Sequence, residues 1–129
     1  MVTTLIYQNI SKFVILPADY YNTAMKELRI NTSNPVFYCF SDDIEWCKAN
    51  LPGADIRYVD WNQGSESYLD MYLMSRCKHN VVSNSTFSMW AAWLNNNSEK
   101  IIYRPSRYYT NSSDEQEDTW PDTWKVIDV

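Results

Sequence analysis

The side chains best able to bind or transform a ligand fall in three short polar groups, each directly after an apolar run. They are Ser41-Asp42-Asp43, Asp60-Trp61-Asn62 and Ser83-Asn84-Ser85-Thr86. Ser85 and Thr86 could turn hydroxyls and helix-terminal N–H groups toward a phosphate, or could simply cap the helix that follows them. Asp42 and Asp43 could accept hydrogen bonds from a ribose or a base, or act as an acid/base pair. Equally, Asp42 with Glu45 three residues later has the spacing of a capping box. Asp70 falls in the first turn of a predicted helix, where the dipole favours a carboxylate with or without a ligand. His79, the one histidine, stands at a helix-to-strand junction and reads as a terminal charge or core hydrogen-bonding group rather than a catalyst.

Other chemistries are excluded by what the chain lacks. With two glycines and neither GxGxxG nor GxxxxGK[ST], it cannot build a glycine-rich phosphate loop, and a GxSxG nucleophile elbow is absent too. Cys39, Cys47 and Cys77 have no CxxC spacing and only one histidine to join them, so they read as reduced core thiols and no metal is expected. Eleven basic against sixteen acidic residues give a net charge of −5, which disfavours nucleic acid and anionic membrane surfaces as partners. Apolar runs reach about six residues, as at Met89–Leu94, far short of a bilayer span. The amino-terminal residues lack the pattern of a secretory signal, and a cytoplasmic location is the expectation. Twenty aromatic residues among 129 argue for a folded chain with a sizeable core.

The elements that must position the polar groups follow from periodicity. Tyr21, Ala24, Met25 and Leu28 form one apolar stripe and predict a helix over 17–30. Val36–Phe40 reads as a buried strand, a short helix then carries Ile44, Cys47 and Leu51, and Pro52-Gly53 stops it. Ile56–Val59 is a second strand, Gln63–Ser67 a polar turn, and Tyr68–Cys77 a helix. Asn80–Ser83 is a third strand, followed by a helix whose spacing predicts Phe87, Trp90, Ala91 and Leu94 on the buried side and which Asn95–Asn97 terminates. Lys100–Tyr103 is a fourth strand, and Thr110–Thr119 reads as a solvated acidic loop. Such alternation predicts an α/β, Rossmann-like parallel sheet with helices on both faces over 17–129, preceded by a stub or edge strand at 1–16. In that architecture all three polar groups stand at the carboxyl ends of strands, where ligands collect.

The segments FYCFSDDIEWCKANL, YVDWN, ESYLDMYLMSRCKHNVVSNSTFSMWAAWLN and KIIYRPSRYY, with DYYNTAM before them, resemble the carboxyl half of the bacterial α-1,2-fucosyltransferase family over roughly residues 16–129. Members of that family are similar to GT-B-type enzymes, in which two Rossmann-like halves hold GDP-fucose in a cleft and transfer fucose with inversion and without a metal. The resemblance implies that Ser85 and Thr86 face the diphosphate, that Asp70 hydrogen-bonds the guanosine portion, and that Asp42 and Asp43 line the donor pocket. It also implies a galactose-type acceptor.

Two departures stand out. The family's FSWW reads Phe87-Ser88-Met89-Trp90 here, which keeps an apolar contact and loses an indole donor. The family's HxRRGDY motif, whose arginines hold the diphosphate as it leaves, is not in this sequence; Lys12 is the one cation in Met1–Leu16, and a lysine lacks the bidentate fork. The expectation is therefore a truncated donor-binding half that is inactive alone unless a separate amino-terminal half completes the cleft. The rival readings are a non-catalytic nucleotide-sugar-binding module and a remnant without a ligand.

Overall fold

Helix α1 (Ala18–Asn31) puts Tyr20, Tyr21, Ala24, Met25 and Leu28 on its buried side, the 3–4 spacing that a sheet-covering helix requires. The computed structural model describes residues 16–41, 43–60, 68–83, 86–106 and 121–129. After α1 come β1 (Phe37–Phe40), α2 (Ile44–Asn50), β2 (Ile56–Val59), α3 (Tyr68–Ser75), β3 (Asn80–Val81), α4 (Thr86–Trp93), β4 (Ile102–Pro105) and β5 (Lys125–Ile127). Leu16, just ahead of α1, is buried in the same core as α1. The polar turn expected at 63–67, the acidic loop at 110–119 and most of the 1–16 stub lie outside the described residues.

Every described strand pairing is parallel: β1 with β2, β3 with β4, and β4 with β5. Alternate residues of each strand point to opposite faces, and the packing follows that period of two. Phe37 and Cys39 of β1, Ile56 of β2, Val81 of β3 and Tyr103 of β4 meet α1 and α2 through Met25, Leu28, Cys47 and Leu51. On the other face, Phe40 and Val59 meet Met74 and Ala91, while Val82 and Ile102 meet Ala92, Met89 and Trp124. Helices α1 and α2 thus cover one face and α3 and α4 the other, so the α/β, doubly covered parallel arrangement read from the sequence is the one observed. Cys39, Cys47 and Cys77 are buried and form no disulfide among the described residues. A hydrogen bond with the Cys47 side chain and burial together push the Cys39 thiol far above its ordinary range, so it packs as a neutral thiol.

Four details differ from expectation. The described hydrogen bonding divides into a two-stranded ladder, β1-β2, and a three-stranded one, β3-β4-β5, rather than one continuous sheet. The reason lies in β3, which is two residues long and directs its pairing to β4; β1 and β3 are joined through side chains of the shared core instead. The fourth strand sits two residues later than its apolar run suggested, and β5 was not anticipated at all. Finally, α4 buries Ser88, Ala91 and Ala92 and leaves Trp90 and Leu94 exposed, so two of its four expected core residues face outward. Small residues on the inner side let α4 approach the sheet and α3 closely, and that outweighs the larger area of the aromatics.

The start of β3 is tied to the ends of α3 and α4 by a polar network. Buried Asn80 donates through Nδ2 to Met74 O at 2.9 Å and accepts from Asn95 Nδ2 at 2.8 Å. Asn95 Oδ1 accepts from Asn97 N at 2.9 Å, and Asn97 Nδ2 donates to Lys78 O at 3.0 Å. The Asn95–Asn97 run therefore does more than end α4: it pins the carboxyl ends of α3 and α4 to the start of β3. No helix among the described residues is long and apolar enough to cross a membrane.

Candidate functional site

Within each ladder the strands are parallel, so their carboxyl ends share an edge, and α2, α3 and α4 each begin after a strand with backbone N–H groups unpaired by their own helices. Ser41 ends β1, Asp60 follows β2 and Ser83 follows β3.

At the first position, Asp43 caps α2: its Oδ1 accepts from Trp46 N at 3.2 Å, while Asp43 N donates to Ser41 Oγ at 2.9 Å. The cap is thus Asp43 and not Asp42, because the helix opens at Ile44, one residue later than the Asp42–Glu45 spacing implied. Asp43 remains exposed, with one carboxylate oxygen engaged by the cap. Asp42 itself lies outside the described residues.

At the second position, Asp70 is the half-buried third residue of α3, in the turn where the helix dipole favours a carboxylate. At the third, Thr86 opens α4, so its backbone stands where an anion-binding helix terminus would be. The Thr86 side chain and all of Ser85 lie outside the described residues. Below them, buried Ser83 and Ser88 bring their hydroxyls to 3.2 Å and Ser88 Oγ reaches Ser83 O at 3.4 Å, which fixes the start of α4 to the end of β3. Asp43, Asp70 and the Thr86 backbone thus each stand at the start of a helix that follows a strand.

One residue at this edge escaped the sequence reading. Arg104, the third residue of β4, is half-buried at the carboxyl end of the strand beside β3, and its Nη1 donates to Pro105 O at 3.1 Å. Burial pulls its pKa down, opposed by the neighbouring Tyr20. An arginine followed by proline at the end of an apolar run was the available signal.

Two concavities lie at the opposite, amino edge. One of about 370 Å³ is bounded by Tyr72, Arg76, Leu94 and Asn95, and one of about 410 Å³ by Thr32, His79, Asn97 and Glu99. Neither touches Asp43, Asp70 or Thr86. The carboxyl edge is favoured over both, since the helix termini that attract anions begin there and not at the amino edge. His79 is buried, accepts from Ile101 N on Nδ1 at 2.7 Å, and serves as the core hydrogen-bonding group that its position suggested. Among the described residues no cluster of three His, Cys, Asp or Glu could hold a metal ion.

An α/β domain whose described strand pairings are all parallel, with helices on both faces, belongs to the Rossmann-like class of folds. Within that class, this chain belongs to glycosyl transferase family 11, whose family model matches residues 6–128. It is 38% identical over 109 residues to the O-antigen biosynthesis glycosyltransferase WbnK of Escherichia coli, covering 82% of this chain and 36% of that protein. It is 33% identical over 114 residues to an α-1,2-colitosyltransferase of Escherichia coli, covering 84% and 38%. To the human galactoside α-(1,2)-fucosyltransferase 1 it is 32% identical over 85 residues, covering 64% and 23%. The chain therefore spans less than two-fifths of the length of the bacterial relatives it matches. No solved structure matches. The resemblance to the bacterial α-1,2-fucosyltransferase family is borne out.

Proposed function

We propose that this chain is the donor-binding part of an α-1,2-fucosyltransferase-like enzyme, with its Rossmann-like domain at 17–129 taking GDP-fucose at the carboxyl edge of the strands. The observation that carries the reading is the family match over residues 6–128 on a parallel α/β fold in which Asp43, Asp70 and Thr86 each stand at the start of a helix that follows a strand. In this reading Thr86, with Ser85, offers hydroxyl and backbone N–H groups to the diphosphate, and Asp70 accepts from the guanine or ribose. Asp42 and Asp43 line the donor pocket, and Arg104 adds a guanidinium to the same edge.

Departure of a diphosphate requires cations that are held in place as its charge develops. The HxRRGDY arginines would supply them from another segment, so transfer to a galactose-type acceptor needs that half, in the same polypeptide or as a separate one, and this chain alone binds without turning over. The donor is a substrate, no metal takes part, and the reaction is placed in the cytoplasm.

A second reading keeps the site and changes the sugar. One relative is named a colitosyltransferase, and 33% identity to it supports a colitose donor as readily as a fucose one.

The test is the thermal midpoint of the chain with GDP, GDP-fucose or UDP, since a ligand that binds only the folded state raises stability by RT ln(1 + [L]/Kd). A guanine-selective rise that is lost in Asp70→Asn and in Ser85→Ala/Thr86→Ala is expected. No shift at millimolar GDP, or an equal shift with UDP, overturns the assignment. A GDP-colitose arm in the same assay separates the two donor sugars.

A further inference from the structure

Helix α4 is turned inside out. Ser88, Ala91 and Ala92 on its inner side are each 0% exposed, whereas Trp90, Trp93 and Leu94 on the outer side are 58%, 60% and 51% exposed. The neighbouring α3 repeats the pattern: Met74 is fully buried, and Tyr68, Tyr72 and Leu73 are left 66%, 59% and 38% exposed. The two helices pack side by side, and Tyr72 and Leu94 border the same groove, so the exposed side of α3 adjoins that of α4.

The size and chemistry of this surface point to a protein partner. Four aromatic side chains of roughly 200 Å² each, about three-fifths exposed, present on the order of 500 Å², and the leucines bring the total to about 600 Å². That is the upper end for the largest apolar patch on an ordinary monomer, about 300–600 Å². Doubled across a two-fold axis it reaches about 1,200 Å², enough for a specific interface. Tryptophan and tyrosine are also the residues that dominate binding energy at interface centres, where charges are depleted.

Charge selects the partner. The chain as a whole is acidic, yet no charged residue occurs between Asn80 and Asn97, and Tyr68–Leu94 contains one acid, Asp70, against two bases, Arg76 and Lys78. Like-charge repulsion between two copies, which most of the surface would impose, is missing on this face. We propose that the α3/α4 face is self-complementary and pairs two copies of this chain about a two-fold axis, with Trp90 and Trp93 at its centre.

Sedimentation of the full chain between about 1 and 100 µM tests this. The expected result is a monomer–dimer equilibrium whose Kd rises at least ~100-fold in Trp90→Glu and in Trp93→Glu, hot-spot positions of this kind being worth that much. Val126→Glu, which charges an equally exposed apolar residue on β5, should leave the Kd unchanged. Circular dichroism establishes that the variants fold, and Trp93→Ser and Tyr72→Ser give the same reading if a glutamate variant does not. A monomer at 100 µM, a dimer indifferent to both tryptophan variants, or self-association that Val126→Glu breaks as readily would each overturn the proposal.

Discussion

His79 accepts the Ile101 amide hydrogen on Nδ1, so the ring nitrogen that would take a proton on acidification already faces a donor. Burial lowers its pKa from the ordinary value of 6.5, and the neighbouring Lys78 lowers it further. With the folded pKa below the unfolded one, the unfolded chain takes the proton first as pH falls. Stability is therefore complete above about 6.5, declines as pH drops through that value, and goes on declining until the folded-state pKa is reached. A His79→Gln variant, whose amide oxygen can accept from Ile101 N, should lose this component. Thermal midpoints of the two proteins, followed from about pH 7 to pH 5, should diverge with the wild type falling faster; parallel curves would contradict the argument, because carboxylates titrate alike in both. The sequence shows one histidine at a helix-to-strand junction, which leaves a terminal charge or a core hydrogen-bonding group, and the structure shows the second. The sequence does not show what Asp70 or Asp43 binds, because a helix start rewards the same residue types whether it faces a ligand or only its own N–H groups. For Asp43 the local job is visible in its bond to Trp46 N, while the reading of the Thr86 and Ser85 hydroxyls as diphosphate ligands rests on the family resemblance.

At the scale of elements, α4 shows where periodicity stops informing. A helix carrying apolar residues nearly all round offers several acceptable stripes, and the choice is made by fit against the neighbours, which spacing cannot report. Phe87, Trp90, Ala91 and Leu94 make a good stripe, yet the structure seats Ser88, Ala91 and Ala92 inward, at 0% exposure. Strands β1 and β2 were legible because their runs are β-branched or aromatic and bounded by Pro, Ser and Asp residues. By contrast β5 is three residues with Lys125 and Val126 exposed, and its two apolar residues, Val126 and Ile127, are too short a run to mark a strand without its pairing to β4. The close seating of α4 gives a sharp expectation. Ala91→Leu must push α4 away from Phe40, Val59 and Met74, or strain its own rotamer, and should cost about 1–3 kcal/mol in urea unfolding. If Ala91→Leu is as stable as the wild type, the helix is not seated as described.

For the whole molecule the question is what makes two hydrogen-bonded ladders behave as one domain. No ladder pairing joins β1 to β3 among the described residues, so the connection must come through α1. Its Tyr20, 1% exposed, stands edge-on to Tyr21 at 4.8 Å, and its hydroxyl donates to Val82 O, with Tyr103 O 3.3 Å away. Tyr21 in turn meets Trp46 of α2, while Met25 and Leu28 share one core with Phe37, Ile56, Val81 and Tyr103, which come from four different strands. Helix α1 therefore straddles both ladders, and neither can shed it without exposing apolar surface belonging to the other. Urea unfolding should accordingly be a single transition, the same by circular dichroism and by tryptophan fluorescence. Hydrogen exchange should give β1 (Phe37–Phe40) and β4 (Ile102–Pro105) the same opening free energy. Tyr20→Phe keeps the ring packing but strands the buried Val82 carbonyl, so it should lower stability by about 1–3 kcal/mol with the urea dependence unchanged. Were the ladders independent, the same substitution would loosen β4 while leaving β1 protected, and the two segments would separate in hydrogen exchange before any loss of helix was seen.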